Sequence, residues 1–380
     1  MSSCKVIVFV KNKLITLDTV LPILLELKVK YDVSSDIVVF DKLAHDAINS
    51  NIVIKDVINY IGKEVYVTNG EKIKFLRRTY VLFGLFRILF DLINGAKVIH
   101  FGHLNKWPLK FIALIFYNST FQLQSTAYDF EYVTSKIKYQ NLNIVSPVGR
   151  NVVFFAKNIN NKILSNISDR KKVYKFGETR TRELWVEYVH KKSNYYFDLC
   201  HRNIDYSRGV IVFILGTILG YKSQLSLFQS TVRALVKESG GVPILIKPHA
   251  YTEMEVVNKE INGHENIYLT YLHPSILSTR AVLFISNNFS NTLADAHSFG
   301  VKTIEYSKYS SDLSRFTKDG LSLSNNESID PQYVDYFINN DEKKLSYILK
   351  KILLDNYHPS TFNGYTSKDD ELLKDLSCLN

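Results

Sequence analysis

An apolar strand that ends in hydroxyls and side-chain amides is placed to meet something polar. In FISNNFSNTLADAHSFGVKTIEYS, residues 284–307, a β-branched and aromatic run gives way to Ser286, Asn287, Asn288, Ser290, Asn291 and Thr292, and an amphipathic stretch follows. A helix starting near Ser290 leaves its first N–H groups without intrahelical partners and carries partial positive charge there. Side-chain donors beside those groups suit a phosphate at the carboxyl end of a strand. The plainer account is an N-cap, in which one Ser or Asn closes the helix. Five polar residues, Ser286, Asn287, Asn288, Ser290 and Asn291, exceed what a cap requires.

Three other segments carry residues of this kind. In ILIKPHA (244–250) an apolar strand ends in Lys247, Pro248 stops the ladder, and His249 stands at the strand tip. A cation and an imidazole there suit a phosphate leaving group; a surface lysine and a turn histidine are the alternative. In ILGTILGYKS (214–223), Gly216, Thr217 and Gly220 follow a strand, where glycine lets backbone approach a ligand closely or simply makes a flexible turn. The pattern matches neither GxGxxG nor the P-loop. In STAYDFEYVTS (125–135), Asp129 and Glu131 follow another strand, where a carboxylate serves as general base on an acceptor hydroxyl or sits solvated in an acidic loop. His100, His103, Lys11 and Lys13 end further strands, with core, turn or solvated roles as the alternatives.

These residues need strands to present them. Strands are expected at 5–10, 36–40, 64–67, 97–101 and 120–124, and again at 209–215, 242–247, 266–270, 281–286 and 302–306. Helices are expected at 17–31, 223–239, 252–262, 273–279, 289–299 and 341–355. Near-continuous apolar strands joined by helices imply parallel sheets covered on both faces, and two such sets imply two doubly wound α/β domains. The expected division is a first domain over 1–190, a polar linker at 191–208, a second domain over 209–356 and a tail at 357–380.

Composition narrows the class. The chain has 380 residues, 46% hydrophobic and 22% charged, as in globular proteins with ample cores. A net charge of +10 points to an anionic partner. Cys4, Cys200 and Cys378 lie far apart without CxxC or histidine-rich company, which suggests reduced thiols in a cytoplasmic protein and no metal site. The start, MSSCKVIVFVKNK, reads as a strand rather than a signal peptide. EKIKFLRRTYVLFGLFRILF (71–90) mixes Lys72, Lys74, Arg77 and Arg78 with Leu and Phe. It reads either as a helix lying on an anionic membrane surface, a peripheral location at the inner face, or as a buried helix with a basic lead-in. No nucleic-acid-binding signature is present, so nucleic acid is not expected as a partner.

KPHA followed by SNNFSNTLADAHSFGVKTIEY resembles the HP and Ser-rich motifs of bacterial transferases that use CMP-activated acidic sugars, among them sialyl-, polysialyl- and capsular Kdo transferases. The resemblance covers about 60 residues and departs from the family at Ala250, where the family has proline, and in an acidic motif without its usual glycine. It implies the GT-B fold, two Rossmann-like doubly wound domains facing a cleft, with the donor on the second. It further implies that His249, Ser290 and Thr292, with Ser286 nearby, contact the CMP phosphate and ribose, and that Asp129 or Glu131 is the base. On this reading Gly216, Thr217, Lys247, Pro248, Asn288 and Asn291 complete the donor site. The partners are a CMP-activated acidic sugar and a glycan or lipid-linked glycan, with no metal and no cofactor beyond the donor. A retaining variant would use a carboxylate as nucleophile. The alternatives are a transferase using CDP-glycerol or a UDP-sugar, a GT-B epimerase acting on a nucleotide sugar alone, and a non-catalytic protein binding nucleic acid or membrane.

Overall fold

Val, Ile and Phe runs without polar alternation form strands that must be buried on both faces, and the helices between them supply the cover. The computed structural model describes residues 4–10, 14–102, 104, 107, 109–124, 147–155, 167, 169–216, 222–249, 252–288, 290–308, 328, 331–355, 357–366 and 370–377. Of these, the residues before Val186 and from Gly364 onward form one compact unit, and Val186–Asn363 form the other.

The first unit holds strands β1 (Lys5–Val10), β2 (Ser34–Val39), β3 (Gly62–Tyr66), β4 (Lys97–His100), β5 (Thr120–Gln124), β6 (Asn151–Phe154) and β7 (Lys172–Lys175). They form a parallel sheet in the order β3-β2-β1-β4-β5-β6-β7. Helices α1 (Leu14–Tyr31), α2 (Lys42–Ser50), α3 (Ile52–Ile61), α4 (Lys74–Ile93) and α5 (Lys110–Ile115) connect successive strands. The second unit repeats the plan with β8 (Val210–Ile214), β9 (Ile244–Lys247), β10 (Ile267–Leu269), β11 (Ala281–Ser286), β12 (Lys302–Ser307) and β13 (Tyr336–Asn339). Its parallel order is β10-β9-β8-β11-β12-β13. Each sheet grows outward from its first strand and reverses direction at the fourth, the doubly wound arrangement expected from the strand pattern. In this unit α6 (Glu183–Cys200) leads in, followed by α7 (Lys222–Glu238), α8 (Met254–Ile261), α9 (Pro274–Ser278), α10 (Asn291–Ser298) and α11 (Glu342–Leu354).

Two expectations about organisation need correction. The polar stretch at 191–208 is not a linker throughout, since α6 runs to Cys200. Trp185, Val189, Tyr196 and Phe197 recur at helical spacing and are buried, and the polar residues between them mask the period. The segment after 357 is not all tail, because its end returns to the first unit as α12 (Glu371–Leu376), with Leu372, Leu373 and Leu376 buried. Of the cysteines, Cys200 is an exposed free thiol, whereas Cys4 is disulfide-bonded, so the reduced reading fails for Cys4.

The return of the chain is fixed by charge. Arg182 Nε donates to Glu26 Oε1 at 2.8 Å and Nη2 to Glu26 Oε2 at 2.7 Å, and Nη2 also donates to Asp370 Oδ2. All three residues are buried. The guanidinium stacks over the Phe176 ring, 4.4 Å from its centroid. Beside it, Gly364 adopts φ +82°, and a Cβ there would stand 2.6 Å from Glu183 Cα, so only glycine fits.

Arg182→Ala takes the buried guanidinium from Glu26 and Asp370 and leaves them only the partly exposed Lys30, whose Nζ lies 3.5 and 3.9 Å from them; it should cost about 3 kcal/mol, read by urea unfolding. A second prediction concerns pH. His201 is buried, with Nε2 2.9 Å from Thr270 Oγ1, and burial lowers its pKa from the ordinary histidine value. The folded state therefore keeps the ring neutral where the unfolded chain would protonate it. Its contribution is complete above about pH 6.5 and declines as pH falls below that value, with a slope of at most about 1.4 kcal/mol per pH unit. Unfolding of His201→Gln should lack this component of the acid-side slope.

Candidate functional site

The carboxyl edge of the second sheet is level across four strands. Lys247 on β9, Ile214 on β8, Ser286 on β11 and Glu305 on β12 are in register with one another. Neighbouring strands lie about 4.8 Å apart, so the loops leaving β9 and β11 start within about 10 Å of each other. Between β8 and β11 the winding reverses, and the connections on either side run to opposite faces. This leaves the crevice where open α/β sheets take ligands.

On the β8–β9 side, Leu215 N–H donates to Lys247 O at 3.0 Å, which keeps the two exits parallel. Thr252 then ties them together: its Oγ1 accepts the His249 N–H at 2.9 Å and donates to Gly216 O at 3.4 Å. Gly216 and Lys247 are half-buried, Pro248 is buried and His249 is exposed at the strand tip. Thr217 lies outside the described residues, as do Gly220 and Ala250.

On the β11 side the polar cluster divides into wiring and surface. Ser286 is buried and donates to Asn288 O at 2.5 Å within its own loop. Asn287 is buried, and its Nδ2 donates to Thr231 Oγ1 on α7 at 2.8 Å and to Tyr306 O on β12 at 3.2 Å. Ser307 Oγ donates to Asn287 O at 3.0 Å. Ser290 is the N-cap of α10 and accepts from Thr292 N–H at 3.3 Å, so the plainer account of this residue is realised. An accepting hydroxyl still has its own proton to donate. Asn291 and Thr292 are half-buried in the first turn of α10. Asn288 Nδ2 donates to Gln224 Oε1 at 2.8 Å, while its Oδ1 is buried with no hydrogen-bond partner among the described residues. A buried acceptor left so is costly in isolation and is met by a ligand or water hydroxyl.

The structure thus brings Gly216, Lys247, Pro248 and His249 to one exit of this edge and Ser286, Asn288, Ser290, Asn291 and Thr292 to the other. Asp129 and Glu131 lie outside the described residues, as do His103, Lys11 and Lys13. His100 is buried, and its Nδ1 accepts the Gly102 N–H at 3.1 Å, so it closes a turn. Among the described residues, no group of three or more His, Cys, Asp or Glu could hold a metal ion.

Sequence reasoning passed over Gln224, Thr252 and Glu305. Gln224 is buried and also donates to Lys308 O at 3.4 Å, linking α7 to the exits of β11 and β12. Glu305 is a fully buried carboxylate that accepts from Ser307 Oγ at 3.1 Å and from Ser328 Oγ. A charged residue inside an apolar strand was the available signal, since a carboxylate buried there must be hydrogen-bonded. The pair His273–Pro274 is buried, and His273 Nδ1 caps α9 by accepting the Ser275 N–H at 3.1 Å.

No protein-family model matches this chain, and no curated protein matches it. Solved structures do. UDP-GlcNAc 2-epimerase from Neisseria meningitidis bound to UDP-GlcNAc superposes with a TM-score of 0.53 at 14% identity, over 93% of this chain and 100% of that one. A putative UDP-N-acetylglucosamine 2-epimerase from Listeria monocytogenes gives 0.54 at 10% identity, over 99% and 91%. The Methanocaldococcus jannaschii UDP-GlcNAc 2-epimerase in complex with UDP-GlcNAc and UDP gives 0.54 at 12%, over 96% of both chains. At these identities the likeness is one of fold, and the fold is GT-B, with two successive Rossmann-like units.

Asn287→Leu removes the amide that joins α7, β11 and β12. It should lower stability by about 1–3 kcal/mol in urea unfolding, because Thr231 and the Tyr306 carbonyl lose a buried partner.

Proposed function

We propose that this chain is a glycosyltransferase that binds a nucleotide sugar at the carboxyl edge of its second sheet and transfers the sugar from a CMP-activated acidic donor to a glycan or lipid-linked glycan. The observation that carries this reading is the convergence of His249, the α10 N-terminus and the partnerless Asn288 Oδ1 on one edge of a doubly wound sheet. The α10 N-terminus, the hydroxyls of Ser290 and Thr292, and Lys247 and His249 supply positive potential and donors to a phosphate. Asn288 Oδ1 supplies an acceptor for a ribose or sugar hydroxyl. In the transfer an acceptor oxygen attacks the anomeric carbon, and the bond from that carbon to the phosphate oxygen breaks. The electron pair departs with CMP. The charge growing on the phosphate is what the site stabilises. The acceptor proton goes to Asp129 or Glu131, a role that rests on the sequence resemblance.

A second reading is favoured by the structural likeness to UDP-GlcNAc 2-epimerases: a UDP-sugar as donor, or as the sole substrate of an epimerisation. The same edge would hold either pyrimidine nucleotide, and the motif resemblance supports CMP.

A thermal-shift series with CMP and UDP separates the two. CMP at 100-fold over its Kd should stabilise the protein by about 2.7 kcal/mol, with UDP inert. Stabilisation by UDP alone moves the assignment to the second reading, and stabilisation by neither removes both. With CMP-sialic acid or CMP-Kdo, release of CMP should be seen by mass spectrometry and abolished in His249→Ala.

A further inference from the structure

One helix of the first unit is apolar on two opposite sides. The inner side of α4 carries Val81, Leu85, Ile88 and Leu92, spaced i, i+4, i+7 and i+11, and packs into the core cluster that also holds Ile7, Val38 and Val98. Gly84 lets the helix sit close, since a Cβ there would stand 2.7 Å from Val67 Cγ1. The outer side carries Phe75, Leu82, Phe83, Phe86, Phe90 and Ile93, all exposed, with Phe75 at 75%, Phe86 at 67% and Ile93 at 74%. On a helical period of 3.6 these six form one stripe roughly opposite the packed one.

The charges of α4 are distributed to match. In its last two turns and a half, Arg87 and Asp91 are both engaged with the unit's own sheet. Arg87 Nη2 donates to Asp36 Oδ2 at 3.0 Å, and Lys5 Nζ lies 3.1 Å from Asp91 Oδ2. The outer stripe is therefore left without charge. At the other end Lys72, Lys74, Arg77 and Arg78 are exposed, and among the described residues none of them has an ion-pair partner. Helix α5 packs into the same core cluster through Ile112 and Ala113. It too exposes apolar residues, Phe111, Leu114 and Ile115, and Trp107 just ahead of it is exposed with its ring centroid 6.4 Å from that of Phe111.

We propose that α4 and α5 form a docking surface for an anionic lipid bilayer, with the aromatic stripe in the interface and the four basic residues against acidic headgroups. Charge decides the occupant. An uncharged aromatic stripe next to four unpaired cations complements a surface that is apolar below and negative above. A second copy of this chain would bring only the same cations. Among the described residues no helix is long and apolar enough to cross a membrane, so α4 lies in the interface plane. Nothing in this depends on which nucleotide the second unit binds.

The test is co-sedimentation of the full chain with vesicles of phosphatidylcholine alone and of equimolar phosphatidylcholine and phosphatidylglycerol. Binding is expected to the mixed vesicles and to weaken with added salt. Phe86→Ser with Phe90→Ser should weaken it at least about tenfold. Arg77→Gln with Arg78→Gln should weaken it roughly fivefold per arginine, with unchanged melting midpoints because all four side chains are exposed or partly exposed. Absence of binding to the mixed vesicles overturns the proposal, as does binding that neither pair affects. A dimer in analytical ultracentrifugation that the Phe86/Phe90 pair dissociates also overturns it, and assigns the surface to a second copy.

Discussion

A parallel sheet must be covered on both faces, and a right-handed crossover can carry each connection to only one of them. Winding outward in one direction covers one face; the chain must reverse from its first strand to cover the other. The reversal between β8 and β11 separates two connections that would otherwise pack side by side, and it opens the carboxyl edge of the second sheet there. Everything assigned to the candidate site follows from this. Gly216 leaves the strand on one side of the reversal, and Ser286 leaves the strand on the other. His249 comes from the next strand out. The same reversal between β1 and β4 puts α4 and α5 into one core cluster on a common face of the first sheet.

An edge so open has to be held by polar bonds, and these bonds are buried. Asn287 ties β11 to α7 and β12, Gln224 ties α7 to Asn288 and Lys308, and Glu305 is closed off by Ser307 and Ser328. In a low-dielectric interior each such group is expensive without its partner and rigid with it. The loop beside α10 is therefore pre-formed, and the groups left over for a ligand are few: an amide oxygen on Asn288, hydroxyl protons on Ser290 and Thr292, and the first turn of the helix.

In the first unit, electrostatics serves a different end. Arg182 gathers Glu26 and Asp370 in the interior, with Lys30 at the margin of the same network, so the last helix of the chain is held by charge as well as by its buried leucines. Arg87 and Asp91 are likewise consumed by Asp36 and Lys5. That consumption leaves the outer stripe of α4 uncharged, while Lys72 just before the helix and Lys74, Arg77 and Arg78 in its first turns are exposed.

The long strands were legible because their signal is local. β1, β5 and β11 fall at the residues their apolar runs indicate, and α1, α7 and α11 within three residues of the expected ends. β6, β7 and β13 were not legible: each is four residues long, and β7 and β13 are half-buried edge strands that exist because a neighbour offers a ladder. The segment 71–90 offered two readings, a helix on an anionic membrane surface and a buried helix with a basic lead-in; the fold buries one side of α4 and leaves the other exposed. At the site, the sequence alone determined which loops are polar, since Ser, Asn and Gly after a buried strand can be read one segment at a time. It could not divide that polar cluster, because whether Asn287 is wiring or Asn288 is available depends on Thr231, Tyr306 and Gln224, which lie 19 to 64 positions away along the chain. Hydrogen bonds between residues so far apart exist only once the sheet has set strand order and register, and that ordering was the tertiary structure's to decide.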